Sequence, residues 1–578
     1  MLAIVQKANR SLVHVQDFEN SIESNDRAFY FIGSFEGLIN ANYTVQFDVD
    51  LHRVVTSLPD CLPQIYGAYA GLSFCDGVLE FAASDISAIN ELYYASTETE
   101  LIVSSDFFAL ARAIGQLEYD PPEARYFINH GFCRKGKTLF KEIYRLPPGV
   151  ALKLDKQGSV MTESYLDHFN GVAVTYDVFK NAINSLLSSI VEKDPSFEEV
   201  VMYSGGVDSS VLLSLIKGIT DVKAITYRWV PDLSLEPDVH ISEKVAKKLC
   251  ITQEFVDVDL DEISLNYLND VILSMPFAAH LSINFKKLFE SQKNQRARLW
   301  CGQNLDTLYY YAVTEPPWII NRFLLSDTYV RMLGGVEGHR IYRPSKKVVD
   351  ALIKILVTRL YPSIKKQHVE TPNTLDELIE YFNDAYLFLP LQVDEEHTED
   401  RTRGSCATKN IGKNEIRKTL FDEELGCFFT GLDHKIQLQA IKLFNVNAVL
   451  PYSTPNMVHL LRNLKLSLLD TLYAKRFMYR YARELGVPKS YFSINKLRLS
   501  SKSGSKSARE IFGSTHFAIE LRHRARELAK EIGFNLNATN TNTTFGKPQR
   551  EMGVLWMDGV RERLSQSGVE LKWPVFAQ

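Results

Sequence analysis

The chain has 578 residues, and its 65 lysine and arginine side chains nearly balance 70 aspartates and glutamates, for a formal net charge of −5. This length predicts two or more domains with full cores, and this balance argues against nucleic acid or a membrane surface as the main partner. The seven cysteines form no CxxC pair, which disfavours a zinc site or a disulfide framework. We expect a cytoplasmic protein, because this cysteine usage suits a reducing compartment and the sequence has neither a signal segment nor a membrane span.

Residues 1–165 predict a β-rich domain. Short segments of β-branched and aromatic residues recur there between turn residues, which is the pattern of half-buried strands. The predicted strands are 27–31, 66–74, 78–84, 91–95 and 101–104, and residues 153–161 close the region as a hairpin.

Residues 175–505 predict a second domain in which strand and helix patterns alternate. Such alternation predicts a doubly wound parallel sheet, where ligands bind at the carboxyl ends of the strands. Residues 506–578 predict a helical C-terminal extension, so the expected fold class is α/β plus α+β. The predicted strands are 199–203, 222–228 and 254–258, and the predicted helices are 211–217, 239–249, 348–361, 375–389, 471–485 and 509–532.

The turn at residues 204–210, between a predicted strand and a predicted helix, carries the strongest chemical signal. Its two glycines allow positive φ and a close approach of the backbone to a ligand. The N–H groups and the dipole at the opening of the next helix favour an anion. Its three serines add hydroxyl donors, and Asp208 suits Mg²⁺ held against phosphate oxygens. The turn consists of Ser204, Gly205, Gly206, Val207, Asp208, Ser209 and Ser210.

A second phosphate-loop pattern, GxxxxGK[ST], is spelled by residues 131–138. A loop of this kind works only where it leaves a strand and opens a long helix. Residues 124–130 have a helical pattern instead, and Pro147 and Pro148 leave no room for a helix after the loop. We therefore expect a basic surface loop there.

The turn at 204–210 resembles the SGGxDS pyrophosphate loop of the asparagine synthetase superfamily, whose members split ATP into AMP and pyrophosphate. Six further segments resemble family motifs in the same order along the chain. They are 83–94 (RDxxGxxPLYY), 104–110 (ASExKAL), 138–149 (TLFxGIxxLPPG), 300–306 (a Gly-rich turn ending in a second metal-binding Asp), 449–452 (VPFLD) and 494–498 (RPKxxF, with the active-site lysine).

The resemblance implies an Ntn-like sandwich related to class II glutamine amidotransferases at the N-terminus, followed by an adenine nucleotide α-hydrolase-like domain. It implies that ATP binds over the turn, with Gly302 beside it and the adenine at the backbone near Tyr227. It also implies that Asp208 and Asp306 hold Mg²⁺, and that Lys496 meets the pyrophosphate.

Departures from the family pattern narrow the expected activity. Family members that hydrolyse glutamine begin with Met-Cys, whereas this sequence begins Met1-Leu2-Ala3 and has no cysteine before Cys61. Because the cysteine is the nucleophile, we expect no glutaminase activity. Gln303 stands where several relatives place an acid or a base, and an amide cannot act as a general base.

The expected activity is an AMP-forming amide ligase that activates a carboxylate as an acyl-adenylate for attack by an amine. The substrate would be a small molecule or peptide that carries these groups. The compact N-terminal domain and long C-terminal tail favour an intramolecular cyclase of the lasso peptide type, with a precursor peptide and its protease as partners. A β-lactam-type synthetase, an ammonia-dependent asparagine synthetase and a nucleotide-binding pseudoenzyme remain alternatives.

Other candidate groups are expected to be structural. His240, His280 and His434 lie in helical or loop patterns, where a lone histidine has no catalytic partner in the sequence. The acidic stretch 394–401 is expected to be a solvated loop rather than a metal cluster. An acidic partner for the attacking amine is left open among Glu423, Glu424 and Asp433.

Overall fold

The computed structural model describes the N-terminal half almost completely and the C-terminal half in part. The helices predicted at 348–361 and 375–389, the acidic stretch 394–401, and the site residues Asp306 and Lys496 lie outside the described residues. The described residues are 1–24, 26–47, 49–230, 237–259, 265–279, 283–292, 296–305, 308, 418, 421–423, 425–464, 476–487, 516–536, 546–572 and 576.

The first 165 residues form two antiparallel sheets, as the strand patterns predict. One sheet has the order β11-β8-β9-β1-β2, and the other has the order β13-β12-β7-β6-β4-β3 with β5 on β4. The elements are β1 Leu2–Gln6, β2 Leu12–Gln16, β3 Asn20–Ser24, β4 Arg27–Ile39, β5 Val45–Phe47, α1 Leu51–Thr56, β6 Ile65–Cys75, β7 Val78–Ser84, β8 Tyr93–Ser96, β9 Glu100–Ser104, α2 Phe107–Ile114, β10 Gln116–Glu118, α3 Pro121–His130, β11 Tyr144–Arg145, β12 Val150–Leu154 and β13 Val160–Ser164.

The two sheets pack face to face over one apolar core. Because side chains alternate along a strand, one face of each sheet supplies the core. Ala3 and Val5 of β1 and Val103 of β9 meet Leu72 of β6 and Leu152 of β12 there. We call this unit the sandwich; its Ntn-like origin stays a prediction.

The loop at 131–138 does not have the surroundings of a phosphate loop. It follows α3 rather than a strand, and Gly131 ends that helix with a φ of 85°. The Thr138 hydroxyl donates to the carbonyl of Ile143 at 2.7 Å inside the protein. The rejection of the GxxxxGK[ST] pattern is therefore confirmed.

The second half of the chain contains a parallel sheet with helices on both faces, which confirms the doubly wound prediction. All its strand pairs are parallel, in the order β16-β15-β14-β17-β18. Its elements are α4 Tyr176–Lys193, β14 Glu198–Met202, α5 Val207–Ile219, β15 Val222–Val230, α6 Pro237–Lys248, β16 Thr252–Asp259, α7 Leu265–Ser274, α8 Ile283–Gln292, β17 Ala297–Cys301, a π-helical segment Leu425–Asp433, α9 His434–Phe444 and β18 Ala448–Val449.

The two faces of this sheet belong to different cores. Val201 and Trp300 pack with α4, α5 and α6, whereas Val200 and Leu299 pack with α7, α8 and α9. The strand order reverses between β14 and β17, which are neighbours. In sheets of this type, ligands bind in the crevice at such a reversal, outside the carboxyl ends of the strands.

The C-terminal part joins both halves of the molecule. Its described elements are a 3-10 turn Pro451–Ser453, α10 Pro455–Arg462, α11 Arg476–Glu484, α12 His516–Glu531, α13 Gly546–Gln566 and β19 Glu570–Lys572.

The predicted helical extension proves to contain a strand and to share a core with both halves. β19 pairs in parallel with β10, where Leu571 lies opposite Leu117. In α13, the indole N–H of Trp556 donates to the carbonyl of Met275 at 2.9 Å, and Gly553 lies directly against Ile128 of α3. Among the helices that the structure describes, none has the length and apolar character to cross a membrane.

Candidate active site

The turn between β14 and α5 presents the open end of a helix at the point where the strand order reverses. The helix forms because its apolar side chains, including Val211, Leu212 and Ile216, pack fully buried against the sheet. Gly206 precedes its first residue, and as a glycine it supplies no capping side chain. Gly205 has a φ of 73°, a left-handed conformation that favours glycine. The first-turn N–H groups and the helix dipole together make this end suited to an anion.

Two serine hydroxyls line this turn and hold each other in place. The Oγ atoms of Ser204 and Ser209 are 3.2 Å apart, and Ser209 donates to the carbonyl of Gly206 at 3.2 Å. The third predicted donor, Ser210, is fully buried, and its hydroxyl lies 3.1 Å from the Tyr203 hydroxyl. Ser204 and Ser209 are therefore the side chains that face the turn, and Ser210 supports it from the core.

The end of β15 lies along the start of the turn. The N–H of Tyr203 donates to the carbonyl of Ile225 at 2.8 Å, and the Thr226 hydroxyl donates to the carbonyl of Tyr203 at 2.6 Å. Tyr227 follows directly and is half-buried. This places the predicted adenine-binding backbone next to the predicted phosphate-binding turn.

Gly302 directly follows β17 and lies close to the turn that follows β14. A Cβ atom built at Gly302 would lie only 3.2 Å from the Cα of Ser209. Any side chain here would press on the Ser209 backbone, so glycine suits this close approach. Gln303 is exposed beside it. Asp306 comes shortly afterwards in the sequence, outside the described residues.

Asn304 anchors this second strand end in a buried polar cluster. It has a φ of 74°, which asparagine tolerates better than most residues. Its Nδ2 lies 3.0 Å from His434 Nδ1, 3.1 Å from Gln437 Oε1 and 2.7 Å from Ser453 Oγ. Its Oδ1 accepts from Gln437 Nε2 at 2.6 Å.

His434 in this cluster is neutral. Burial, with the neighbouring Lys435 and Lys442, lowers its pKa to about 3. Its Nδ1 accepts from the Asn304 amide, so the proton lies on Nε2, which is buried with no hydrogen-bond partner among the described residues. The ring stacks on Phe429, with centroids 5.0 Å apart.

Asp208 occupies the first turn of α5, where the helix dipole favours a carboxylate. The Tyr452 hydroxyl donates to its backbone carbonyl at 3.2 Å. Within the described residues, no group of three or more His, Cys, Asp or Glu side chains is placed to hold a metal ion. One or two carboxylates with substrate phosphates are the usual Mg²⁺ ligands, so Asp208 beside an anion site fits that ion.

The remaining candidates lie elsewhere. Glu423 forms an ion pair with Lys135 at 2.7 Å, and His240 is exposed on α6 near Glu243, at 3.8 Å. Asp433 ends the π-helical segment. Glu424 and His280 lie outside the described residues.

Sequence patterns did not single out Asn304, Tyr452 or Ser453. Their partners are more than a hundred residues away in the chain, so no local spacing reveals them. Two features of the sequence could have pointed to them. Asn304 is a residue type suited to positive φ and stands two positions after Gly302, and Tyr452 ends the segment 449–452.

Comparison with known families and curated proteins does not assign this chain to a family. No family model matches the chain. An uncharacterised protein of Methanocaldococcus jannaschii is 35% identical over 79 residues, which are 14% of this chain and 29% of that protein. The chain therefore spans well under two thirds of the length of this relative.

Solved structures with detectable similarity include two synthetases and an amidotransferase. NMN synthetase from Francisella tularensis is 14% identical over 24% of this chain and 58% of its own, with a TM-score of 0.18. NH3-dependent NAD synthetase from Campylobacter jejuni is 12% identical over 34% of this chain and 100% of its own, with a TM-score of 0.18. Glutamine phosphoribosylpyrophosphate amidotransferase from B. subtilis is 12% identical over 54% of this chain and 70% of its own, with a TM-score of 0.17. TM-scores this low carry no conclusion about the activity of the chain.

Proposed function

We propose that this protein is an ATP-dependent ligase that forms an amide bond and releases AMP and pyrophosphate. One observation carries the proposal: the N-terminus of α5, with a glycine at its N-cap, opens at the strand-order reversal, and Ser209 in its first turn lies close to Gly302, which follows the neighbouring strand β17. A helix N-terminus with hydroxyls at this position is built to receive phosphate.

Each described element of the site has a role in this proposal. The N–H groups at the start of α5 and the hydroxyls of Ser204 and Ser209 bind phosphate oxygens of ATP. The backbone near Tyr227 meets the adenine. Asp208, together with Asp306 outside the described residues, would hold Mg²⁺, which would screen the charge of the triphosphate.

The chemistry follows from the weakness of a carboxylate as an acyl donor. An oxygen of the substrate carboxylate attacks the α-phosphorus of ATP, and the bond to pyrophosphate breaks, which leaves an acyl-adenylate. An amine then attacks the acyl carbon, loses a proton and displaces AMP. Lys496 is proposed to stabilise the pyrophosphate and the developing oxyanion.

We propose further that the amine belongs to the same substrate molecule, as in a lasso peptide macrolactam cyclase. Attack within one molecule needs no separate ammonia source, because proximity raises the effective concentration of the amine. A precursor peptide and its protease are the proposed partners.

The test combines nucleotide binding and turnover in the full chain with Mg²⁺ and ATP. A Gly302→Val variant places a branched side chain against the Ser209 backbone and should weaken ATP binding at least tenfold, about 1.4 kcal/mol. Asp208→Asn should abolish pyrophosphate release in the presence of carboxylate substrates. The control is Gly218→Ala, in the same helix α5, where an added Cβ meets nothing within 4 Å.

Each outcome has a distinct meaning. Unchanged ATP affinity in Gly302→Val, measured by calorimetry, would contradict the placement of the phosphates. Pyrophosphate release at the wild-type rate in Asp208→Asn would contradict the proposed chemistry. Tight ATP binding with no turnover of any carboxylate substrate would favour the pseudoenzyme alternative.

A further inference from the structure

The 3-10 turn Pro451–Ser453 contacts the first turn of α5, the segment after β17 and the sandwich. We call it the interdomain turn. Its Tyr452 hydroxyl donates to the Asp208 carbonyl at 3.2 Å, and its Ser453 hydroxyl accepts from the Asn304 amide at 2.7 Å. Its Ser453 carbonyl accepts a hydrogen bond from the hydroxyl of Ser87, which belongs to the sandwich.

The sandwich side of this contact is a preorganised loop. The fully buried Asp85 carboxylate accepts the N–H of Ser87 at 2.9 Å, of Ile89 at 3.3 Å and of Asn90 at 3.3 Å. Three backbone bonds to one carboxylate fix the loop, so the Ser87 hydroxyl is presented in one place.

The site side is equally constrained. The Asn304 amide is surrounded by partners from α9 and from the interdomain turn, and all of them are buried. Gly302, two residues before it, lies against Ser209. Ser453 is thus joined by a hydrogen bond to Asn304, and Asn304 through the backbone to Gly302, which lines the turn at residues 204–210.

We propose that the sandwich is a positioning element of the nucleotide site, acting through Ser87, the interdomain turn and Asn304. Ser87 and Asn304 are positioning residues, since both act through other groups. The inference rests on the proposed function for its ligand, ATP. It gives the sandwich a task in the reaction that needs no glutamine chemistry.

A matched pair of serines in the sandwich tests this. Ser87 and Ser73 are both fully buried and each donates one side-chain hydrogen bond, but Ser73 donates to Glu80 at 3.0 Å, away from the interdomain turn. Ser87→Ala should weaken ATP binding about fivefold or more, the lower end of coupling between distinct sites. Ser73→Ala should leave ATP binding unchanged while lowering the melting temperature of the ligand-free protein similarly.

A second variant tests the proposal at Asn304, on the site side of the interdomain turn. Asn304→Gly keeps the positive φ but removes the amide, and it should raise the Kd for ATP at least as much as Ser87→Ala. Its control is Asn445→Gly, at an exposed asparagine with a φ of 49°. In the double variant, the effects of Ser87→Ala and Asn304→Gly should be less than additive, because both break one chain of contacts.

Equal ATP affinity in Ser87→Ala and Ser73→Ala would overturn the proposal, and so would full additivity in the double variant. Hydrogen exchange at residues 302–305 separates this failure from failure of the proposed function. If the wild-type protein does not bind ATP, faster exchange there in Ser87→Ala than in Ser73→Ala still supports positioning, and equal exchange refutes it.

Discussion

His459 is a neutral histidine in the middle of α10. Its Nε2 donates to the carbonyl of Pro63 at 2.7 Å, and its ring stacks on Phe169 with centroids 4.0 Å apart. Burial, opposed by the Pro63 contact and aided by Arg462, lowers its pKa to about 3. The folded protein therefore keeps this ring uncharged at all ordinary pH values.

The His459→Gln variant should be less sensitive to acid than the wild type. Between the folded pKa of about 3 and the unfolded value of about 6.5, the unfolded chain binds one more proton, so stability falls as the pH drops below about 6.5. Glutamine has no such proton. The stability advantage of the wild type should therefore shrink by about 2 kcal/mol between about pH 7 and pH 5.

Urea unfolding at the two pH values measures this difference. A difference between wild type and variant that does not change with pH would show that His459 takes up a proton in the folded state.

At the residue scale, the sequence predicts well what is local. The strand, turn and helix around residues 204–210 were predicted within a dozen residues, and the structure places Gly205, Ser204 and Ser209 at the turn. Their roles in binding stay predictions. Asn304 could not be predicted, because its role depends on His434, Gln437 and Ser453, which meet it only through the tertiary fold. Lys496 and Asp306 stay predictions.

At the element scale, α13 is fitted closely to its neighbours through two glycines. A Cβ at Gly553 would lie 2.6 Å from the Cα of Ile128, which is backbone. A Cβ at Gly559 would lie 2.5 Å from the Cδ1 of Ile272, which is the far end of a flexible side chain. A side chain at Gly553 could be accommodated only if α3 moved. A side chain at Gly559 could be accommodated by a rotamer change of Ile272.

The two glycines should therefore respond differently to alanine. Gly553→Ala should destabilise the protein by about 1–3 kcal/mol, the usual cost of overpacking. Gly559→Ala should be close to neutral, because the gain in helix propensity of about 1 kcal/mol offsets the side-chain adjustment. Denaturant unfolding of both variants gives the comparison, and a larger loss at Gly559 would contradict the described packing of α13.

Helices and strands with a clear hydrophobic period were predicted close to their observed bounds. The elements with which they pair were not predicted. The strand predicted at 78–84 matches β7, and the predicted helix 211–217 lies within α5. The strands that were missed are β1, β2, β3, β5, β10, β11, β17, β18 and β19. The short β19 is a strand only because it pairs with β10, which lies more than four hundred residues earlier.

At the scale of the whole molecule, the sandwich and the parallel sheet share their cores. One core combines Phe29 and Phe81 of the sandwich with Val211 and Trp300. Across the same boundary, Glu91 forms a partly buried ion pair with Lys435 at 2.6 Å. Burial lowers the pKa of Lys435 to about 8 despite this partner. The two halves therefore depend on each other for their apolar contacts and for charge pairing.

We expect the sandwich and the half that contains the parallel sheet to unfold in one transition. Residues 1–165 contain no tryptophan, so tryptophan fluorescence reports only on the rest of the chain, while far-ultraviolet circular dichroism also reports on the sandwich. The two melting curves should coincide, because loss of either half exposes the shared cores. A circular dichroism transition at a separate temperature from the fluorescence transition would contradict this.

All eight residues of α10 are buried, including Asn456, His459 and Arg462. The Asn456 amide donates to the Tyr43 carbonyl at 3.3 Å, and His459 Nε2 donates to the Pro63 carbonyl at 2.7 Å, so two polar side chains of this helix are matched to sandwich carbonyls. A chimera that grafts a foreign sandwich onto this chain would leave these polar groups facing apolar or mismatched surfaces. Exchange of the N-terminal half, in the laboratory or in evolution, thus requires that residues 451–462 be exchanged with it.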